Sequence, residues 1–475
     1  MPDCATIIGS GPNGLAAAIV LAAAGLHVQV FEAESEPGGA TRTLPLTLPG
    51  FLHDFGSAVH PLAAASPFFS TLPLDDYGLE WIHGSAPLAH PLDDGSAVFL
   101  ERDLAQTAQA LGPDGSAWRR LLAPAVDDWP QFAEAVLAPV FPMPRHPLLM
   151  ARFGLAAFSS AQSLARARFC GARARALFAG LAAHSCLDLS QPLSSAIAVV
   201  LGAAAHAAGW PIPRGGARAI PHALIGHLES LGGQIRTSSR IDARAFRSLE
   251  SADALTFFDT AARELLAIAG DRFPPGVRRA YARFLPGPAA FKIDFALSDP
   301  VPWRAPECRR AITVHLGGTF EEIAASEAAV AEGRVSDRPF VLTAQPSLFD
   351  HSRAPADRHV LWAYCHVPNG FSQDMTARVE SQIERFAPGF RDCILARHVS
   401  PPVALEAMDA NLLGGDISGG ALTLRQFLLR PTLRPYSTGA AGIYLCSAST
   451  PPGGGVHGMC GYHAAKTALR RLRLA

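Results

Sequence analysis

The residues best suited to chemistry lie close to the N-terminus. Gly9-Ser10-Gly11-Pro12-Asn13-Gly14 has the spacing G-x-G-x-x-G, and an acid, Glu32, follows about 20 residues on. Gly9 permits a tight turn, Gly11 lets backbone approach a pyrophosphate, and Gly14 lets a helix pack closely on a strand. A helix opening there offers free N–H groups and a positive dipole end to phosphate oxygens. Glu32 is placed to accept a hydrogen bond from a ribose 2′-hydroxyl, and its charge repels a 2′-phosphate, which argues against NADP. The elements needed to hold these groups appear in order. Ala5-Thr6-Ile7-Ile8 reads as a buried parallel strand, and Leu15 to Ala24 as a strong helix former ended by Gly25. His27 to Phe31 reads as a second strand carrying Glu32 at its end.

Ala33 comes next, and soon after it Glu36-Pro37-Gly38-Gly39-Ala40-Thr41-Arg42-Thr43. With these residues the sequence resembles the FAD-dependent oxidoreductases that include amine oxidases, phytoene desaturases, carotenoid isomerases and retinol saturase. The amine oxidase branch usually has arginine directly after the glycine pair. Ala40 stands there instead, with Arg42 and Thr43 downstream, as in the phytoene-dehydrogenase-like branch. Phe51-Leu52-His53-Asp54-Phe55-Gly56-Ser57, Gly209-Trp210-Pro211-Ile212-Pro213-Arg214-Gly215-Gly216 and Asn411-Leu412-Leu413-Gly414-Gly415-Asp416 are similar to the same branch.

Near the other terminus Gly442-Ile443-Tyr444-Leu445-Cys446 reads as a strand, followed by Pro451-Pro452-Gly453-Gly454-Gly455-Val456-His457-Gly458 and a helix from about His463 to Leu472. Gly453 to Gly458 also fits G-x-G-x-x-G, but only 17 residues follow it and none is acidic, so it is no second nucleotide site. It resembles the family's C-terminal flavin turn, where a helix dipole stabilises negative charge on the reduced ring.

The resemblance implies bound FAD. Its implied contacts are Gly9, Gly11, Pro12, Asn13, Gly14, Glu32, Ala33, Gly38, Gly39, Ala40, Arg42 and Thr43 at the N-terminus. Ile241 joins them through its backbone, and Gly454, Gly455, Val456 and Gly458 from the C-terminal turn. The expected fold is α/β: a discontinuous Rossmann-type FAD-binding domain (1–70, 206–262 and 431–475) with an α+β substrate-binding domain (71–205 and 263–430). The hairpin usual between the middle strands looks truncated, since only Asp242 to Ser251 separates Ile241 from the strand expected at Ala252-Asp253-Ala254-Leu255.

Composition agrees with an enzyme of this size. The chain has 475 residues, 49% of them apolar and 17% charged, enough for a sizeable core and too apolar for disorder. Forty basic residues balance forty-one acidic ones, so no basic surplus for nucleic acid exists. Eight scattered cysteines, without metal spacing, suggest no metal and a reducing, cytoplasmic setting. The apolar run Leu15 to Leu26 is too short to span a bilayer, where about 20 residues are needed. Pro139 to Pro147 reads as a broken connector, and Met150 to Leu181 as mainly helical. Its Arg166, Arg168, Arg173 and Arg175 form a solvated face, or a surface for peripheral membrane contact.

Lysine occurs only at Lys292 and Lys466. Phe291-Lys292-Ile293-Asp294-Phe295-Ala296-Leu297 alternates with period two, placing Lys292 and Asp294 opposite the four large apolar residues. A lysine retained there suggests that an ammonium is wanted. In amine oxidase relatives the equivalent lysine bridges through water to the flavin. The resemblance carries that catalytic role to Lys292, and an Asp294-paired lysine is the alternative. His315 and His457 are the candidate catalytic histidines, with His184 and His206 also in motif-like surroundings.

The sequence places no acids and bases in a convergent set, which suits hydride abstraction from carbon. The expected activity is dehydrogenation or saturation of C–C bonds in an apolar, isoprenoid- or polyene-like small molecule, with oxygen or a quinone as acceptor. Redox-neutral double-bond isomerisation is the main alternative. Amine oxidation and a non-catalytic flavoprotein scaffold stand further off. Oligomeric state is not legible.

Overall fold

A computed structural model describes residues 2–140, 146–249 and 254–472. Most of the proline-rich connector at 139–147 and the first residues of the strand expected from Ala252 lie outside the described residues.

Apolar runs without alternation belong in parallel strands buried on both faces. Five strands build one sheet, in the order Ile443–Leu445, Ala254–Phe258, Cys4–Ile8, His27–Phe31, Gln234–Arg236, all parallel, with the polar Gln234–Arg236 at an exposed edge. The strands thus come from both ends and the middle of the chain. On one face pack three helices, Pro12–Ala23, Ala219–Ser230 and Met459–Arg471, through Leu15, Ile19, Leu224, Leu228, Ala464 and Ala468. The other face is covered by Phe246, Leu265, Phe273 and Tyr281. In place of the truncated hairpin stands a short helix, Ala243–Leu249, its start capped by Asp242 Oδ1, which accepts from the Arg244 and Ala245 N–H groups.

A second, seven-stranded mixed sheet has the order Ile394–Ser400, Ala289–Leu297, His359–Val367, Val341–Ala344, Ala311–Leu316, Ala86–Pro91, Ala97–Leu100. Alternation sorts its two faces. Phe291, Ile293, Phe295 and Leu297 join an apolar cluster with Val379, Ile383 and Phe386 of helix Thr376–Phe386. Lys292 and Asp294 take the opposite face, as the period-two pattern predicts. The strand register puts Tyr364 opposite Lys292 and Trp362 opposite Asp294 on that same face. Helices Gly115–Asp127, Ala172–Ala183 and Ser194–Ala207 lie over this inner face.

The segment expected to be mainly helical, Met150 to Leu181, contains three helices, Pro147–Ala157, Ala161–Arg168 and Ala172–Ala183. Its arginines divide as well. Arg173 donates to the Ala97 carbonyl at 2.6 Å and Arg175 to the Phe169 carbonyl at 2.8 Å, whereas Arg166 and Arg168 are exposed. Among the described residues no helix is long and apolar enough to cross a membrane.

Candidate functional site

The two glycine turns meet. Helices Pro12–Ala23 and Met459–Arg471 pack with their N-terminal ends together. They approach so closely that a β-carbon at Gly461 would fall 1.7 Å from the Asn13 carbonyl oxygen. Only glycine allows that contact. Gly9 has φ +99°, and a β-carbon there would fall 2.7 Å from the Asp259 carbonyl oxygen. The turn is therefore pressed against backbone and open only on its other side. Gly11 and Gly458 are the N-cap residues of the two helices, and neither first turn contains an acid. Neither helix thus neutralises its positive dipole end with an acid of its own first turn.

Glu32 is held in place before any ligand arrives. Its Oε2 accepts from the Ser10 N–H at 3.0 Å and from Ser10 Oγ at 2.5 Å, and its Oε1 accepts from the Glu34 N–H at 2.9 Å. A carboxylate has about four acceptor positions. With three filled, one remains for a ribose hydroxyl. The loop after strand Gln234–Arg236 closes over Glu32 and Ala33. Ser239 N–H donates to the Glu32 carbonyl and Ser238 N–H to the Glu34 carbonyl, which brings half-buried Ile241 beside the same edge.

Around the second glycine pair, Ser10 Oγ accepts from the Gly38 N–H at 3.1 Å, which ties the two loops together. Arg42 does not reach outward as a free cation. Its Nε donates to the Gly39 carbonyl and its Nη2 to the Met408 carbonyl, at 2.9 and 2.6 Å. Thr43 Oγ1 donates to Asp54 and accepts from the Arg218 N–H. Arg42 and Thr43 thus brace the loop that presents Gly39 and Ala40. Asp54 is itself buried against Arg353 at 2.8 Å, and also accepts from the Ala217 N–H. Burial raises its pKa, but Arg353 and these hydrogen bonds prevail and hold it below the usual carboxylate range.

At the other turn, Gly454 lies against the Ser418 carbonyl, and Val456 packs against the apolar core between the five-stranded sheet and its three helices. Gly455 has φ +119° and lies against Leu62 and His457. His457 is wholly buried. Its Nδ1 accepts from the Met459 N–H at 3.0 Å and so caps the C-terminal helix. Burial lowers its pKa to about 4, leaving a neutral imidazole. Among the described residues its Nε2 has no hydrogen-bond partner, and neither has the buried Asn13 Oδ1 at the opposing helix start.

The three catalytic candidates are not brought together. His457 sits in the cofactor turn. Lys292 Nζ bonds Asp294 on the inner face of the large sheet, 5.9 Å from the Trp362 ring, with His53 Nδ1 3.7 Å from the other Asp294 oxygen. Burial lowers the Lys292 pKa and raises that of Asp294 to about 6. His315 Nε2 is 3.0 Å from His184 Nε2, farther along the same face, and its Nδ1 packs on Gly180. Burial keeps His315 neutral, its pKa well below the usual value.

Several site residues carry no motif. Asp259, at the end of strand Ala254–Phe258, accepts from the Gly14 N–H at 2.7 Å, and burial pushes its pKa up to about 7. Its place at a strand end matches that of Glu32, which was the available signal. Burial also raises Asp409, which follows helix Pro402–Met408 near Gly39. Arg430 is buried, its Nη2 donating to the carbonyls of Ser418, Gly419 and Ala448 beneath the C-terminal turn.

The family described as NAD(P)-binding Rossmann-like domain matches residues 7–72. Over 99% of this chain and 94% of its own length, the mouse pyridine nucleotide-disulfide oxidoreductase domain-containing protein 2 is 26% identical. An oxidoreductase from Methanosarcina mazei superposes with TM-score 0.62 at 15% identity, covering 98% of this chain and all of its own. Wild-type putrescine oxidase bound to putrescine gives 0.60 at 17%, with 99% of both chains covered. The fold is that of the amine-oxidase type. The Rossmann-like match and the shared fold are consistent with FAD as the cofactor.

Proposed function

We propose that this protein is an FAD-dependent oxidoreductase that removes hydride from carbon, desaturating a C–C bond in a largely apolar, isoprenoid-like substrate. The observation that carries this reading is the junction of two glycine-capped helix starts from opposite ends of the chain, neither with an acid in its own first turn, beside a pre-oriented Glu32. The residues present fit the group. Gly9, Gly11 and Gly14 would cradle the pyrophosphate, Glu32 would hold the ribose, and the Met459–Arg471 helix start would face the flavin. When bound, FAD supplies a hydride acceptor.

The chain's own groups bind and shield. Helices Ala172–Ala183 and Ser194–Ala207, over the inner face of the large sheet, are rich in alanine, leucine and valine. Such walls suit an apolar substrate better than a charged amine. His457 and His315 are held neutral, so neither adds a cation to the walls. Lys292 is paired with Asp294, whose other oxygen lies 3.7 Å from His53 Nδ1. Oxygen or a quinone would take up the electrons.

The test is spectral. The purified protein should be yellow, release FAD on denaturation, and bleach anaerobically when given the substrate, with a new double bond in the recovered product. A colourless protein that does not take up FAD refutes the reading. Bleaching by simple amines instead would reassign the substrate class.

A further inference from the structure

Three side chains outside the cofactor cradle converge on the inner face of the large sheet. Cys186 lies just past helix Ala172–Ala183 with φ +54°, a left-handed backbone that an L side chain adopts only when its surroundings impose it. His366 stands on strand His359–Val367 and Glu327 on helix Phe320–Ala331. Cys186 Sγ is 3.4 Å from His366 Nε2, and His366 Nδ1 is 2.8 Å from Glu327 Oε2. Because a carboxylate can only accept, Nδ1 carries the ring hydrogen and Nε2 faces the thiol as an acceptor. The order is that of a nucleophile, its base, and an acid that orients the base.

The cluster has the environment such a set needs. All three residues are buried, with Cys186 the most accessible at 8%. Burial disfavours the charged form of His366, yet the Cys186 sulfur and the Glu327 carboxylate outweigh it and raise its pKa, which makes Nε2 a stronger base toward the thiol proton. Ser418 Oγ lies 3.7 Å from the sulfur, and the Ser418 carbonyl rests against Gly454 of the cofactor turn. The thiol therefore stands beside the cradle without belonging to it.

The backbone around Cys186 decides between electrophiles. Acyl transfer needs N–H groups aimed at a developing oxyanion. Here the Cys186 N–H donates to the Ala183 carbonyl at 2.9 Å and the Leu187 N–H to Ser185 Oγ at 3.3 Å. Neither N–H beside the sulfur remains for that purpose. A soft carbon electrophile asks only for a sulfur lone pair and a returning proton.

We propose that Cys186, His366 and Glu327 form a nucleophilic thiol site that takes a carbonyl-conjugated alkene by conjugate addition. His366 Nε2 accepts the thiol proton, and the sulfur lone pair forms a bond to the β-carbon. The alkene π pair moves toward the α-carbon and carbonyl, and the proton on His366 passes to the α-carbon. The net change is addition of S–H across C=C, with no oxidant or reductant. Glu327 stabilises the transient imidazolium. The proposal does not rest on the oxidoreductase reading.

N-Ethylmaleimide belongs to this electrophile class and is the probe. The full-length protein is labelled at substoichiometric reagent at pH 6.5 and mapped by peptide mass spectrometry, with exposed Cys170 as internal reference. An ordinary thiol is only about 1% thiolate at that pH. Cys186 should therefore label about 10-fold faster than Cys170, despite its burial. His366→Gln should slow Cys186 by about 100-fold and Glu327→Gln by about 10-fold, with Cys170 unchanged. Labelling of Cys186 no faster than Cys170 in the unmodified protein overturns the proposal and needs no variant. An unchanged Cys186 rate in a folded His366→Gln protein does so as well.

Discussion

Replacing Asp259 by asparagine keeps the shape of the side chain and its acceptor for the Gly14 N–H, but removes a charge that nothing nearby neutralises. Burial, with Asp409 and Glu32 close by, pushes the Asp259 carboxyl up to about 7 from 3.8. A carboxyl whose pKa is raised on folding keeps its proton longer in the folded state than in the unfolded one. Its contribution is complete below about pH 4 and is lost as pH rises through 7. A shift of about 3 units corresponds to about 4 kcal/mol. About a third of that is already lost at pH 5, so the stability gap between Asp259→Asn and the unmodified protein should widen by about 3 kcal/mol from pH 5 to pH 8. Urea denaturation of the flavin-free protein at the two pH values measures it. A gap constant to within about 0.5 kcal/mol would show that Asp259 is ionised without penalty, and the account of this site would fail. Under the FAD reading, the variant should also bind the cofactor more tightly at pH 8, since a pyrophosphate brings further negative charge to the same loop.

Gly461→Ala should destabilise by about 3 kcal/mol and lose bound flavin, because its β-carbon would fall 1.7 Å from the Asn13 carbonyl oxygen. Gly276→Ala, with nothing within 4 Å and a place in helix Pro275–Ala282, should instead be neutral or stabilising by about 0.5 kcal/mol, both variants being compared with the unmodified protein by urea denaturation. Lys292→Met strands the buried Asp294 and should cost about 3–5 kcal/mol, whereas Lys292→Met with Asp294→Asn should recover most of it. If turnover stays lost in that stable double variant, the ammonium does chemical work. Leu148 and Leu155 are 83% and 81% exposed on the helix before Arg166 and Arg168. Changing both to serine should reduce cosedimentation with anionic liposomes at low salt roughly tenfold, and failure of the unmodified protein to pellet would end the membrane proposal.

What could be read from sequence was what local physics dictates. The glycine turns, the strand carrying Glu32 and the alternation around Lys292 are each set by residues within a few positions of one another. The inner-face position of Lys292 followed from period two alone, whereas its bond to Asp294 depended on how a buried sheet satisfies a charge. Arg42 and Thr43 illustrate the limit more sharply. Their motif implied contact with the cofactor, yet their side chains are taken by Met408, Gly39, Asp54 and Arg218, partners that a linear reading does not supply. Where the sequence suggested no convergent acids and bases, folding produced one set: Cys186 and His366 are 180 residues apart and Glu327 lies 39 from His366. No spacing rule joins them, because a helix end, a helix middle and a central strand need share no period. Such a site becomes visible only when the sheet fixes which face His366 takes. It follows that in this chain the motifs mark where backbone turns tightly or packs closely, while the Cys186, His366 and Glu327 cluster sits where a strand and helices cross without any motif.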